Sequence, residues 1–158
     1  MRLVSWNTNC KFRDKFHLLG AFDIAIIQEC EDPSRCNSVA YKAWSENYYW
    51  IGNLKHKGLG IFIKSGLSAK LMELPKTSQR FFLPLQLSNG TQILAVWAKG
   101  ANSYQNGYFA QIHDYLGTHA HYFNWDQLIV AGDFNSNAQW LGQFLLACGD
   151  GWQHAMIL

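Results

Sequence analysis

Three short apolar runs in this chain each break off in residues with side-chain oxygens, and this pattern restricts the fold more than any other feature. Leu128-Ile129-Val130-Ala131-Gly132 runs into Asp133, Phe134, Asn135 and Ser136. Asp23-Ile24-Ala25-Ile26-Ile27 runs into Gln28 and Glu29, and Arg2-Leu3-Val4-Ser5-Trp6 runs into Asn7, with Asn9 close behind. Apolar runs this short, rich in β-branched residues, read as buried strands rather than helices. On extended chain Asp133 and Asn135, two apart, point to the same side. An Asx-type turn capping the next helix is the alternative for an isolated Asp-x-Asn. Any strand must also leave the core somewhere, so one polar ending is ordinary. Together, however, the three endings supply Asn7, Glu29, Asp133 and Asn135, two carboxylates and two carboxamides, with no cluster of thiols or paired imidazoles to compete. Oxygen donors of this kind suit magnesium or manganese better than zinc. A water polarised beside them can attack a phosphate ester.

The rest of the chain reads as α/β. A short helix is expected over residues 12–21 and a longer one over 104–117, where Tyr108, Phe109, Ile112, Tyr115 and Leu116 recur at helical spacing. Residues 48–52 and 60–64 read as paired strands, and so do 81–87 and 92–98, the latter joined across Asn89-Gly90, a strong tight-turn signal. With 49% apolar and 15% aromatic residues the chain is globular rather than disordered. No repeat, linker or low-complexity stretch divides residues 1–158. Trp44, Tyr48, Tyr49 and Trp50 read as core and rim packing rather than a base-stacking platform. His119-x-His121 has the spacing of a metal pair, but no third ligand stands near it in sequence, and it reads as a solvated loop. Cys10, Cys30, Cys36 and Cys148 show neither Cys-x-x-Cys spacing nor a disulfide framework, which points to reduced thiols.

Trp6-Asn7, Gln28-Glu29 and Gly132-Asp133-Phe134-Asn135-Ser136 resemble, in identity, order and spacing, the endonuclease/exonuclease/phosphatase superfamily. Apurinic endonucleases, pancreatic-type DNases, inositol-phosphate phosphatases and neutral sphingomyelinases belong to it. The resemblance implies a two-layer β-sandwich flanked by helices, the DNase-like four-layer α/β sandwich, and hydrolysis of phosphodiester bonds with Mg²⁺ or Mn²⁺. It implies Glu29 as the metal-binding carboxylate, with Asn7 and Asp133 completing the metal set. Asn7 would hold metal-bound or phosphate oxygen, Asp133 would position or deprotonate the attacking water, and Asn135 would orient the phosphate. The superfamily's Gly-rich hairpin strand has a counterpart in Lys57-Gly58-Leu59-Gly60-Ile61-Phe62-Ile63.

Two departures stand out. Where many relatives carry a phosphate-binding histidine or tyrosine, this chain has Trp97, whose indole donates one hydrogen bond and accepts none. Lys99, two residues on, offers positive charge in its place, so that Asn9, Trp97 and Lys99 are the candidate phosphate rim. The second departure is that no Ser-Asp-His segment occurs. His154, close behind Asn135 in sequence, reads as an ordinary strand residue rather than the missing imidazole. By this resemblance the chain is expected to be one incomplete domain, lacking C-terminal strands. An unpaired sheet edge would then be open to self-association.

All 13 lysines and arginines, with seven of the 11 acidic residues, lie in residues 1–99, a net +6; the remainder carries four acids and no Lys or Arg, a net −4. Lys11, Arg13 and Lys15 follow the Asn7 strand, and Lys55, His56 and Lys57 precede Gly58. A phosphate-bearing partner would be drawn to that rim, although a solvated face explains scattered lysines equally well. The overall net charge of +2 is too mild to demand nucleic acid. Neither a secretory signal nor a membrane-spanning apolar run is visible, which points to a cytoplasmic protein. Two readings remain. One is a metal-dependent phosphodiesterase of the endonuclease/exonuclease type, with nucleic acid as first substrate class and phosphorylated small molecules or lipid headgroups as second. The other is a non-catalytic remnant of that fold acting as a binding or interaction protein.

Overall fold

The computed structural model describes residues 1–64, 66–100 and 107–135. One sheet holds β1 (Leu3–Asn7), β2 (Ile24–Cys30), β3 (Tyr48–Leu54) and β4 (Lys57–Ile63), in the order β1-β2-β4-β3. The other holds β5 (Ala69–Leu71), β6 (Phe82–Leu87), β7 (Gln92–Trp97) and β8 (Leu128–Asp133), in the order β5-β6-β7-β8. Alternate residues of the central strands face inward and weld the sheets together. Ile24, Ile26, Leu59, Ile61 and Ile63 from the first meet Leu83, Leu85, Ile93, Ala95 and Trp97 from the second. Each fully buried aliphatic side chain contributes roughly 1.5–3 kcal/mol.

The outer faces are apolar too and are covered. On the first sheet Ala25, Ile27 and Phe62 lie under Phe12, Phe22 and Tyr41, the last from the short helix α1 (Val39–Trp44). On the second, Leu94, Val96 and Val130 lie under Ile112, Tyr115 and Leu116 of α2 (Tyr108–Thr118). The expected α/β architecture of two packed sheets between outer layers is therefore the observed one. No helix among the described residues is long and apolar enough to cross a membrane.

Two pairings position the functional end. β1 runs parallel to β2 with Asn7 opposite Gln28, and β7 runs parallel to β8 with Trp97 opposite Asp133. Parallel strands need a crossover connection and finish at the same end of the sheet. α2 lies in the β7–β8 crossover, as expected. The β1–β2 crossover differs from the helix expected over residues 12–21. Two short 3₁₀ turns, Phe12–Asp14 and Phe16–Leu18, take its place. The segment enters from left-handed Cys10 and Lys11, with no side-chain cap, and curls around one anchor, Phe12. That ring is fully buried, edge-on to Trp6, Tyr41 and Trp44 at centroid distances of 6.1, 5.7 and 5.4 Å. Phe12, with half-buried Phe16 packed on Trp44 beside it, replaces the apolar stripe that a longer helix would need.

The two hairpins form, with β3 and β4 turning at Lys55-His56, later and more tightly than expected, and β6 and β7 turning at Asn89-Gly90. His119 corrects the solvated-loop reading. It is fully buried at the end of α2, with Nδ1 2.8 Å from the Tyr115 carbonyl oxygen and Nε2 3.0 Å from that of Pro75. Cys30 is likewise buried, and burial pushes its thiol pKa far up, so it is packing rather than reactive thiolate.

Gly132 lets β8 sit close to β7. Its φ is +147°, and a Cβ there would overlap the carbonyl of Val96, its register partner. Gly132→Ala is expected to cost about 3 kcal/mol of stability, from backbone strain and overlap together. Urea denaturation followed by tryptophan fluorescence would read this as a lower midpoint. An unchanged midpoint would mean that β8 can retreat from β7 at no cost.

Candidate active site

The parallel pairings bring the ends of β1 and β2 up against the end of β8. Asn7 Nδ2 donates to Asp133 Oδ2 at 2.6 Å, joining the two sheets across 126 residues of sequence. The Asn9 N–H donates to Asn7 Oδ1 at 3.0 Å. Donor and acceptor thus fix the carboxamide, with its amino group toward Asp133 and its oxygen toward the loop after β1. In that loop Asn9, Cys10 and Lys11 have φ of 48°, 65° and 58°, and Lys15 Nζ donates to the carbonyls of Thr8 and Cys10. Left-handed backbone in non-glycine residues costs roughly 1–2 kcal/mol per residue. Among the described residues the only other such positions are Glu29 and Asn135, so all five lie at this end of the sandwich.

Glu29 does not end its strand. It lies inside β2 at a bulge, with φ of 61°, where the register with β4 skips between Gln28 and Cys30. The bulge aims the carboxylate out of the strand's alternation. Lys57 Nζ sits 2.8 Å from Glu29 Oε2, and Cys10 Sγ donates to the same oxygen at 3.5 Å. Burial alone would raise the Glu29 pKa. The hydrogen bond and charge of Lys57, aided by Cys10 and Asn7, outweigh burial and hold it below the usual carboxylate value. Lys57 is shifted up in return, chiefly by its hydrogen bond to Glu29.

At the end of β8 both readings of the Asp-x-Asn segment hold at once. Asp133 Oδ1 accepts the Asn135 N–H at 2.9 Å, an Asx turn, and Asn135 turns left-handed with φ of 47°. The chain therefore does not continue extended. Asn135 Nδ2 donates to the Ala98 carbonyl at 2.6 Å, which returns its carboxamide to the end of β7.

Trp97 is not at the rim. Only 2% exposed, it belongs to the inter-sheet core and packs on Phe81 with centroids 4.8 Å apart. The strand phase that carries Ile93 and Ala95 inward carries Trp97 with them. Lys99 is exposed, its ammonium 4.5 Å from the Trp97 ring centroid, and Lys57 approaches the same ring at 5.7 Å. Trp97 is thus a floor that two cations share. Beyond Lys99, a cleft of about 320 Å³ is lined by Ser78, Arg80, Phe81 and Gln111, among others. Asn9 is exposed and reaches the site through its backbone.

Among the described residues no three His, Cys, Asp or Glu side chains gather as a metal site. One or two carboxylates with bound waters nevertheless suffice for magnesium, which keeps much of its hydration. Glu29 and Asp133 are the carboxylates at this end that could hold such an ion, and Glu29 already carries the Lys57 ammonium. Asn7 turns its amino group to Asp133 while its oxygen accepts the Asn9 N–H, so it presents N–H donors to the site. Cys10 and the pairing of Lys57 with Glu29 were not anticipated from sequence. The one signal was the position of Lys57 just before the Gly-rich strand. Ser136, Cys148 and His154 lie outside the described residues.

No protein-family model matches the chain, and no curated protein does. Solved structures do. The 3'-5' exonuclease NExo from Neisseria meningitidis superposes with a TM-score of 0.51 at 19% identity, over 85% of this chain and 58% of that one. A humanized D. rerio TDP2 gives 0.57 at 15% identity, over 90% and 65%. An AP endonuclease from Archaeoglobus fulgidus gives 0.52 at 14%, over 84% and 56%. The fold is the DNase-like α/β sandwich that these three structures share. The chain spans 58%, 65% and 56% of the lengths of these three structures.

The Glu29–Lys57 pair has a definite pH window. Because the Glu29 pKa is lowered, its stabilisation is present above the ordinary glutamate value and is lost as pH falls through the lower, folded one. Because the Lys57 pKa is raised, the pair persists until pH climbs through that raised value. Glu29→Gln is expected to destabilise the chain by roughly 0.5–1 kcal/mol at neutral pH, a partly screened pair. The difference from wild type should vanish in acid below the glutamate range. Parallel stability–pH curves for the two proteins would contradict the pairing.

Proposed function

We propose that this chain carries the reaction centre of a metal-dependent phosphodiesterase, with nucleic acid as its first substrate class. The observation that carries the reading is the meeting of Asn7, Glu29 and Asp133, from three separate strands, at one end of a DNase-like sandwich. Proteins sharing this fold include an exonuclease, an AP endonuclease and a D. rerio TDP2 described in complex with a single-strand DNA product. The exposed cations Lys99 and Arg80 favour a polyanionic substrate over a neutral one.

Glu29 would hold a magnesium or manganese ion, with Asp133 close by. The metal supplies positive charge for the phosphate oxygens and acidifies bound water. Asp133 is held by one donor on each oxygen, from Asn7 and from the Asn135 N–H. Its carboxylate is therefore fixed in direction to orient the attacking water and take its proton. Lys99, braced on Trp97, draws the phosphate toward that carboxylate. Asn135, tied to Ala98, orients it. Fixing these groups before the substrate arrives lowers the reorganisation needed in the transition state.

A second reading, a binding protein without turnover, draws on two observations. Lys57 already neutralises Glu29, and no histidine among the described residues hydrogen-bonds Glu29, Asp133 or Asn135. Cleavage of single- and double-stranded oligonucleotides and of a nitrophenyl phosphodiester, with and without Mg²⁺, separates the two. Turnover is expected to require metal and to fall roughly 10²–10³-fold in Glu29→Gln and in Asp133→Asn. Oligonucleotide binding with one shared background rate in wild type and both variants would favour the binding protein. Hydrolysis of an inositol phosphate or lipid headgroup, with nucleic acid untouched, would move the substrate to the second class.

A further inference from the structure

We infer that Lys57 is the resident counter-cation of Glu29 and that a divalent metal enters this site only by displacing it. The inference rests on the metal reading of Glu29 given above. Lys57 Nζ stands 2.8 Å from Glu29 Oε2, the distance of a direct charged hydrogen bond, and Cys10 Sγ approaches the same oxygen at 3.5 Å. A hard cation coordinated by that oxygen would have to share it with an ammonium carrying like charge. Coulomb repulsion at such short range in a partly buried site opposes this. The Glu29 side chain is 15% exposed, so water cannot screen the two cations fully.

The backbone leaves little room for another arrangement. Lys57 opens β4 and precedes Gly58, which is register partner to Cys30 directly after Glu29. A side chain at Gly58 would overlap the Trp50 ring, so the strand that launches Lys57 is pressed against β3. Glu29 in turn is fixed by its left-handed bulge. Both partners are presented to each other by rigid elements rather than by flexible loops. The displaced ammonium has a second position within reach, since it already lies 5.7 Å from the Trp97 ring centroid. Lys57 is thus a positioning residue: it holds the carboxylate in place while metal is absent and sets the affinity with which metal replaces it.

The test is Mn²⁺ titration of the 158-residue chain by water-proton relaxation, with Mg²⁺ as competitor. Lys57→Met, which keeps the length and removes the charge, is expected to tighten Mn²⁺ binding about two- to fivefold, the equivalent of one removed charge contact. Lys57→Gln should behave alike, and Lys57→Arg should stay near wild type. In wild-type protein, saturating Mg²⁺ should raise the acetylation rate of Lys57 read by peptide mass spectrometry, because the amine is released from Glu29. Tightened binding together with this exposure supports the inference. Unchanged or weakened binding in both neutral variants, with binding still abolished by Glu29→Gln, overturns it and leaves the metal reading standing. If no variant binds Mn²⁺, or if Glu29→Gln binds as wild type does, the metal reading falls and this inference with it.

Discussion

One carboxamide, Asn7, spans the two sheets at the end where the strands finish. Its amino group reaches Asp133 on β8 and, with Lys57 and Cys10, steadies Glu29 on β2; its oxygen is held by the Asn9 N–H. The contact exists because β1–β2 and β7–β8 are both parallel pairs. Parallel pairing puts strand ends together, and sandwich packing then sets one pair of ends against the other. The functional end is therefore a product of sheet topology as much as of residue identity.

The backbone at this end is strained in a way the rest of the described chain is not. Asn9, Cys10, Lys11, Glu29 and Asn135 all take left-handed conformations without being glycine. Asn tolerates that region better than most residues; Cys, Lys and Glu do not. Such strain persists only where surrounding contacts over-determine it. Here the Lys15 ammonium on two carbonyls, the bulge against β4 and the Asx turn at Asp133 serve that purpose. The inter-sheet core, apolar and close-packed, supplies the stability against which this strain is held.

Electrostatics complete the arrangement. Two cations approach the Trp97 ring, Lys57 at 5.7 Å and also paired with Glu29, and exposed Lys99 at 4.5 Å. The negative face of the ring attracts each ammonium group.

Much of this architecture is written in local sequence. The short continuous apolar runs of β2, β4, β6 and β7, the Asn89-Gly90 turn and the helical spacing of Ile112, Tyr115 and Leu116 are short-range signals that burial reinforces. Asn7, Glu29 and Asp133 were visible as strand endings for the same reason. The direction in which each side chain points was not legible. The bulge at Glu29, the turned carboxamide of Asn7 and the inward phase of Trp97 arise from register with partner strands far along the chain. The loop after β1 looked like a helix because apolar residues recur in it, yet Phe12 became the centre of an aromatic cluster drawn from α1 and β4. His119 looked solvated because nothing nearby in sequence explains its burial; Pro75, 44 residues away, does. Local sequence determined which segments are strands and which residues bring oxygen to their ends. Only the tertiary structure decided that Lys57, from another hairpin, would sit on Glu29, because charge pairing depends on distance through space, which register and packing set.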